Sequence, residues 1–435
     1  MRALTTVMFV LLTASLAEAQ CPEFREVRPN RYVVYDYSGQ YTTYSVGNPK
    51  QLDVARCFYQ GHPERDIYDS IYVTQTTRVL VHPSTYVIAS RESGTIENRF
   101  DDSLRYGSDG RLRVISWESV GLMADPVYRQ SGTIENRDFY DSIHEPAHWA
   151  AVYTNGKNAD MFDLGHHFSY FLGTKSDISP NDEKPFGDIM GANPWKKIDG
   201  GKATLNTVGN PTELIKASDF TQYLLGLKNP EEIRGRFPII DKAAYNPQTQ
   251  FMEGEVARWV GIKDLIASQW GRRFPNASQS QRHMKGVDIL VVNMHDQETL
   301  SVGPQTYVNR FIEFTDKKTD KWNEATWGKS TWNDARFVVP SLKVGNRRLK
   351  VGEPFTITLT GAAPDTNGVM WANDGTVSYP VPVRTDKDGS WQFKAPQGQQ
   401  FPSVWSVIVY FGKDRETGGL TQTTSNLILL EIGQK

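Results

Sequence analysis

The pentapeptide His144-Glu145-Pro146-Ala147-His148 fits the pattern HExxH, and no other stretch constrains the fold of this chain as much. Two imidazoles four residues apart meet at one point when the backbone is helical, because residues i and i+4 share a helix face. The pattern therefore predicts a helix here and a third ligand brought to it from elsewhere. Four of the eight histidines fall between positions 144 and 167, so the same stretch is the place to seek it. A short continuation with a ligand six residues after His148 is ruled out, since Thr154 stands there. Farther on lie Asp160, Asp163, His166 and His167, and the adjacent pair His166-His167 is the best source. Only one of two neighbours on a helix faces a given ion, and the spacing leaves open which of them does.

The chemistry explains the residue types. Zinc accepts neutral imidazole nitrogen, and a catalytic site keeps three protein ligands and one open position. A carboxylate beside the metal can take the proton of a water whose pKa zinc lowers toward 7. Zn2+ is therefore the expected cofactor, His144 and His148 its ligands, Glu145 the general base, and a peptide bond the expected target. Pro146 opposes this reading, because proline inside a helix removes a hydrogen bond and costs about 3 kcal/mol. Near a helix start the cost shrinks, since the first N–H groups lack helical partners anyway. With Ser142 as N-cap, Pro146 takes the fourth helical position. Ser142 and Glu145 then also match a capping box, which would turn Glu145 back along the helix. The competing structural reading is a set of ordinary packed or capping histidines.

Outside this stretch the texture divides the 435 residues. Tyr68 to Thr74, Leu112 to Trp117 and Val287 to Asn293 are short β-rich runs read as strands. Asp219 to Leu227, Ile262 to Trp270 and the stripe Tyr307, Phe311, Phe314 have helical spacing. The helical pattern ends in the polar segment from about Trp322 to Ala335. From residue 339 onward, strands at Phe355 to Leu359, Trp391 to Lys394, Val404 to Tyr410 and Asn426 to Ile432 alternate with turns, which predicts a β-sandwich of immunoglobulin-like type. Asp386 to Gly389 is read as a hairpin turn, since no full calcium-ligand series follows it. Ser93 to Arg99 and Ser131 to Arg137 both spell SGTIENR; two copies are too few for a solenoid. His62, His82, His283 and His295 are expected in surface or loop positions.

Residues 1–19 read as a secretory signal: Arg2, an apolar stretch from Ala3 to Leu16, and small residues at Ala17 and Ala19. The mature chain is expected to begin at Gln20 and to be secreted or periplasmic, with no membrane span after cleavage. The two cysteines, Cys21 and Cys57, are expected to pair in an oxidising compartment. Closing that loop stabilises the fold by roughly 3–4 kcal/mol on the chain-entropy model. With 48 basic and 50 acidic residues, nothing favours nucleic acid as a partner. A mean hydropathy of −0.49 excludes a multi-span membrane protein.

Several segments together resemble secreted bacterial HExxH zinc-metallopeptidase-like proteins of the broad zincin class that carry an immunoglobulin-like C-terminal domain. They are Phe100 to Arg113, HEPAHW from His144, GHHFSYFLG from Gly165, DIMGANPW from Asp188, Ser218 to Ile233 and Ile262 to Pro275. The resemblance implies an α+β zincin-like catalytic domain over residues 20–338 and an all-β immunoglobulin-like sandwich over 339–435. It implies His144 and His148 as ligands and Glu145 as base. It favours His167 over His166, because a His-aromatic pair in relatives matches His167-Phe168. Met190 resembles the methionine beneath the zinc in metzincins. The chain departs from relatives at Pro146 and Ala147, where Leu and Gly are frequent. The function so implied is a secreted zinc-dependent metallopeptidase acting on protein or peptide substrates. The alternative is a catalytically inactive extracellular binding protein on the same scaffold, and a third reading, from the Trp content, is a glycan-binding or glycoside-cleaving protein.

Overall fold

The structure, a computed structural model, describes residues 21–42, 50–62, 68–76, 84–87, 89–90, 100–101, 114–119, 142–148, 156–163, 167–178, 186–199, 201–206, 215–268, 283–333, 340–373, 378–395, 397, 404–411, 423–424 and 428–433. The expected signal segment, both SGTIENR copies, His82 and His166 lie outside them. Among the described residues the chain is a mixed α/β protein in which strands predominate.

The continuous apolar run of Gly286–Asn293 carries no alternation because both of its faces are covered. It lies in the middle of a six-stranded sheet ordered Arg25–Arg28, Arg31–Asp36, Gly286–Asn293, Ser70–Gln75, Val114–Ser119, Ser84–Val87. The central four strands are parallel and the two edges antiparallel. On one face, Val54, Ala55 and Phe58 of the helix Lys50–Gly61 pack on Ile71, Val73, Ile115 and Val291. On the other, Tyr307, Val308 and Phe311 of Pro304–Ala325 pack on Val33, Leu290 and Val292. Cys21 and Cys57 form a disulfide that fastens the start of the described chain to the first of these helices, with Cα atoms 5.2 Å apart.

The helix Pro304–Ala325 runs farther than its sequence pattern indicated. Trp322 and Ala325, in the segment read as the end of the helical pattern, are buried in a second core. Between its two contact regions, Lys318 forms a fully buried ion pair with Asp288 at 2.7 Å, and its ammonium lies over the rings of Tyr72 and Trp332 at 4.2 and 4.7 Å. Such a pair adds little net stability, since desolvation offsets the attraction, but it fixes where the helix crosses the sheet. Gly286 permits the approach of Trp332: a Cβ there would lie 2.1 Å from the indole. His283, expected in a surface or loop position, is buried on the strand His283–Met284, with Nδ1 bonded to Thr331 Oγ1 at 2.8 Å.

A four-stranded antiparallel sheet, Lys196–Asp199, Lys202–Asn206, Phe251–Val260 and Phe237–Asn246, flanks the second core. Beyond residue 340, two sheets face each other. Ser341–Val344, Phe355–Thr360 and Trp391–Ala395 form one. Arg348–Lys350, Ile428–Gly433, Val404–Phe411, Asn367–Asn373 and Ser378–Arg384 form the other, with Thr423–Thr424 paired to Val404–Phe411. Leu342, Ile357 and Leu359 meet Met370, Val407, Val409 and Leu430 in a common core. Pro380 and Pro382 lie on the edge strand, where they lack the N–H groups that would template another strand. The turn at Asp386 is held by its Oδ1, which accepts from the Asp388 and Ser390 amides. It joins strands of different sheets, so it is a corner and not the expected hairpin.

Candidate metal centre

Residues 142–147 are helical and His148 continues as a single tighter turn. Ile143 and Ala147, four apart, are buried in the second core and set how the helix rolls. His144 and His148, one position farther round, consequently share the adjoining face. Pro146 lies inside this helix and forfeits the bond that its N–H would give to the Ser142 carbonyl. Ser142 is itself helical, so it is not the N-cap anticipated from the sequence. Glu145 is 5% exposed on the same helix.

The third imidazole arrives on a strand. His167–Phe168 pairs antiparallel with Phe162–Asp163, so successive side chains point to opposite sides. Phe168 enters the core, and His167 turns toward the other two histidines. His167 is therefore presented by a short strand and not by a helix. Its leading segment is tied down by Arg258, whose guanidinium spans both carboxylate oxygens of Asp160 at 2.5 and 2.6 Å. That guanidinium holds the Asp160 carboxyl below its ordinary pKa.

The three rings converge through their Nε2 atoms. His144 Nε2 lies 3.0 Å from His167 Nε2 and 3.1 Å from His148 Nε2. The ligand atoms of all three residues fall within 4.8 Å of one another. Four nitrogens around a zinc at 2.0–2.1 Å would be separated by about 3.3 Å in a tetrahedron, so these spacings fit a single ion. The tautomer of His144 agrees. Its Nδ1 is 2.5 Å from the Ile189 carbonyl oxygen, which can only accept, so Nδ1 carries the proton and Nε2 presents a bare lone pair. One lone pair cannot accept well from two ring nitrogens at once, whereas a cation at the centre satisfies all three. The donor set is thus close enough to bind a metal ion.

Beneath the histidines runs the turn Asp188-Ile189-Met190-Gly191. Met190 is buried in the core that also holds Ile143, Ala147 and Phe168. Gly191 has φ +111, and a Cβ on it would meet the Phe168 carbonyl at 2.8 Å. Asp188 is buried and accepts from the Ser218 amide at 2.6 Å, the Thr221 hydroxyl at 2.7 Å and the Met190 amide at 3.2 Å. Burial pushes its carboxyl up to about 6, against the lowering by those donors. Asp188, Ser218 and Thr221 went unassigned in the sequence, although DIMG and SDFT are among the segments that carry the resemblance.

Tyr223 and Tyr170 lie on different cores. Tyr223 is buried in the same core as the histidine helix. Tyr170 packs instead against Trp195, Ala203, Leu205 and Ile240, and burial pushes its phenol up.

Comparison with known proteins identifies no family. No family model matches the chain, and no curated protein matches it. Among solved structures, the crystal structure of an engineered protein from a structural genomics consortium aligns at 12% identity, covering 40% of this chain and 36% of that one, with a TM-score of 0.15. The chain thus spans well under half of that protein, and so low a score carries no argument.

Proposed function

We propose that this protein is a secreted zinc-dependent metallopeptidase, with His144, His148 and His167 holding Zn2+ and Glu145 as general base. The observation that carries the reading is the convergence of three imidazole Nε2 atoms, one of them fixed as an acceptor by the Ile189 carbonyl. Zinc bound there would supply Lewis acidity and lower the pKa of a water toward 7. The chain's own contribution is to orient and to move a proton. The Glu145 carboxylate takes the proton of the attacking water and delivers it to the departing amide nitrogen. Its burial strengthens such a transfer by excluding bulk solvent. The two-domain architecture, zincin-like over 20–338 and immunoglobulin-like over 339–435, belongs to the same proposal, with the sandwich serving attachment or substrate recruitment. Export is supported by the Cys21–Cys57 disulfide. Among the described residues no helix is long and apolar enough to cross a membrane.

Removal of the metal tests this directly. Complete chelation is expected to abolish cleavage of a broad peptide library, and one equivalent of zinc to restore it. Hydrolysis that survives chelation contradicts the proposal. The second reading, a catalytically silent binding protein on this scaffold, is favoured by Pro146 inside the histidine helix. Stoichiometric zinc without turnover of any peptide would support that reading instead.

A further inference from the structure

We infer that Asp188 is a positioning residue that orients two of the three histidines through one turn, an inference that rests on the metal-site reading above. Two consecutive carbonyls of the turn go to the two histidine segments. Ile189 O receives the Nδ1–H of His144 at 2.5 Å. Met190 O receives the Phe168 amide at 2.8 Å, one residue from His167. The ring of His144 and the strand of His167 therefore share a single backbone support, reached through Gly191 at a spacing that excludes a side chain.

Asp188 sets where that support lies. Its Oδ1 accepts from the Ser218 amide and its Oδ2 from the Thr221 hydroxyl and the Met190 amide, which couples the turn to the start of the helix Asp219–Leu224. The Ile189 amide adds a bond to the Lys216 carbonyl at 3.1 Å. These donors to the carboxylate, and the Ser218 hydroxyl that also stabilises it, are neutral, and the residue is 3% exposed. A buried carboxylate without a cation among these partners is an expensive way to hold a turn. The geometry accounts for its use: donors converge on both oxygens, so the side chain must accept at both ends. Asparagine has the same shape but presents an NH2 group to one donor, and the turn would have to shift. A ligand-orienting carbonyl is the outer-shell contact that keeps a metal-binding imidazole in one tautomer.

The test compares wild type with Asp188→Asn and Thr221→Val, each verified as folded by circular dichroism. The first readout needs no metal: 15N-labelled histidine spectra of the zinc-free protein. His144 is expected to show a single Nδ1–H tautomer with slowed exchange in wild type, and mixed tautomers with faster exchange in both variants. The second is zinc affinity by chelator competition, expected to weaken about 10- to 100-fold in Asp188→Asn, and in the same direction but less in Thr221→Val. A His144 tautomer and exchange rate unchanged in the folded variants would overturn the inference. If Asp188→Asn does not fold, Thr221→Val decides by the same criterion, since it removes one donor and keeps the shape. Wild-type protein that binds no zinc, yet loses the His144 signal in the variants, would refute the metal reading and uphold the positioning role.

Discussion

A Glu145→Gln variant is expected to retain one zinc per chain and to lose essentially all peptide hydrolysis, a fall of about 10²- to 10⁴-fold or more. Glutamine keeps the size of the side chain and its capacity to accept a hydrogen bond, so the helix at 142–147 and the histidines it carries are left in place. What it lacks is basicity. Without a group that takes the proton of the attacking water, the remaining catalysis would come only from binding and from the charge of a zinc held by the three imidazoles. The measurement is kcat/KM on the same peptide mixture, with zinc content determined on the same samples. Rates within threefold of wild type at equal zinc would show that another group is the base.

The second large effect is expected at the third ligand. His167→Ala should weaken zinc binding by more than about 100-fold, because changes in the outer shell alone cost 10- to 100-fold. His166→Ala serves as the comparison and should leave zinc content near one per chain. The argument rests on the strand: Phe168 is anchored in the core, its amide is held by Met190 O, and His167 Nε2 comes to 3.0 Å from His144 Nε2. Zinc retained by His167→Ala and lost in His166→Ala would assign the ligand to the neighbouring position.

Much of the local structure is legible in the residues. Apolar runs such as Val287 to Asn293 announce strands, and the stripe Tyr307, Phe311, Phe314 announces a helix, because burial imposes its period on the side chains. The four-residue spacing of His144 and His148 is legible for the same reason. Three kinds of information are not. Strand order is one: Gly286–Asn293 inserts between Arg31–Asp36 and Ser70–Gln75, partners more than 200 positions away, and nothing local encodes that pairing. The far end of a helix is another, since Trp322 looks like an isolated aromatic in polar surroundings until a second core receives it. The third is the outer shell. The contact that fixes His144 comes from a backbone carbonyl, which every residue possesses, so Ile189 leaves no mark in the sequence and Asp188 reads as an ordinary turn aspartate. His167 misleads in a related way, because two adjacent histidines look alike until a hairpin turns one of them toward its partners.

X-ray absorption on the zinc-loaded wild-type protein tests the convergence of the three imidazoles most directly. The account predicts one zinc per chain, with a first shell of nitrogen and oxygen at about 2.0–2.1 Å and outer-shell scattering from three histidine rings. A spectrum that requires two rings or fewer, or protein that retains no zinc through gel filtration, would contradict it.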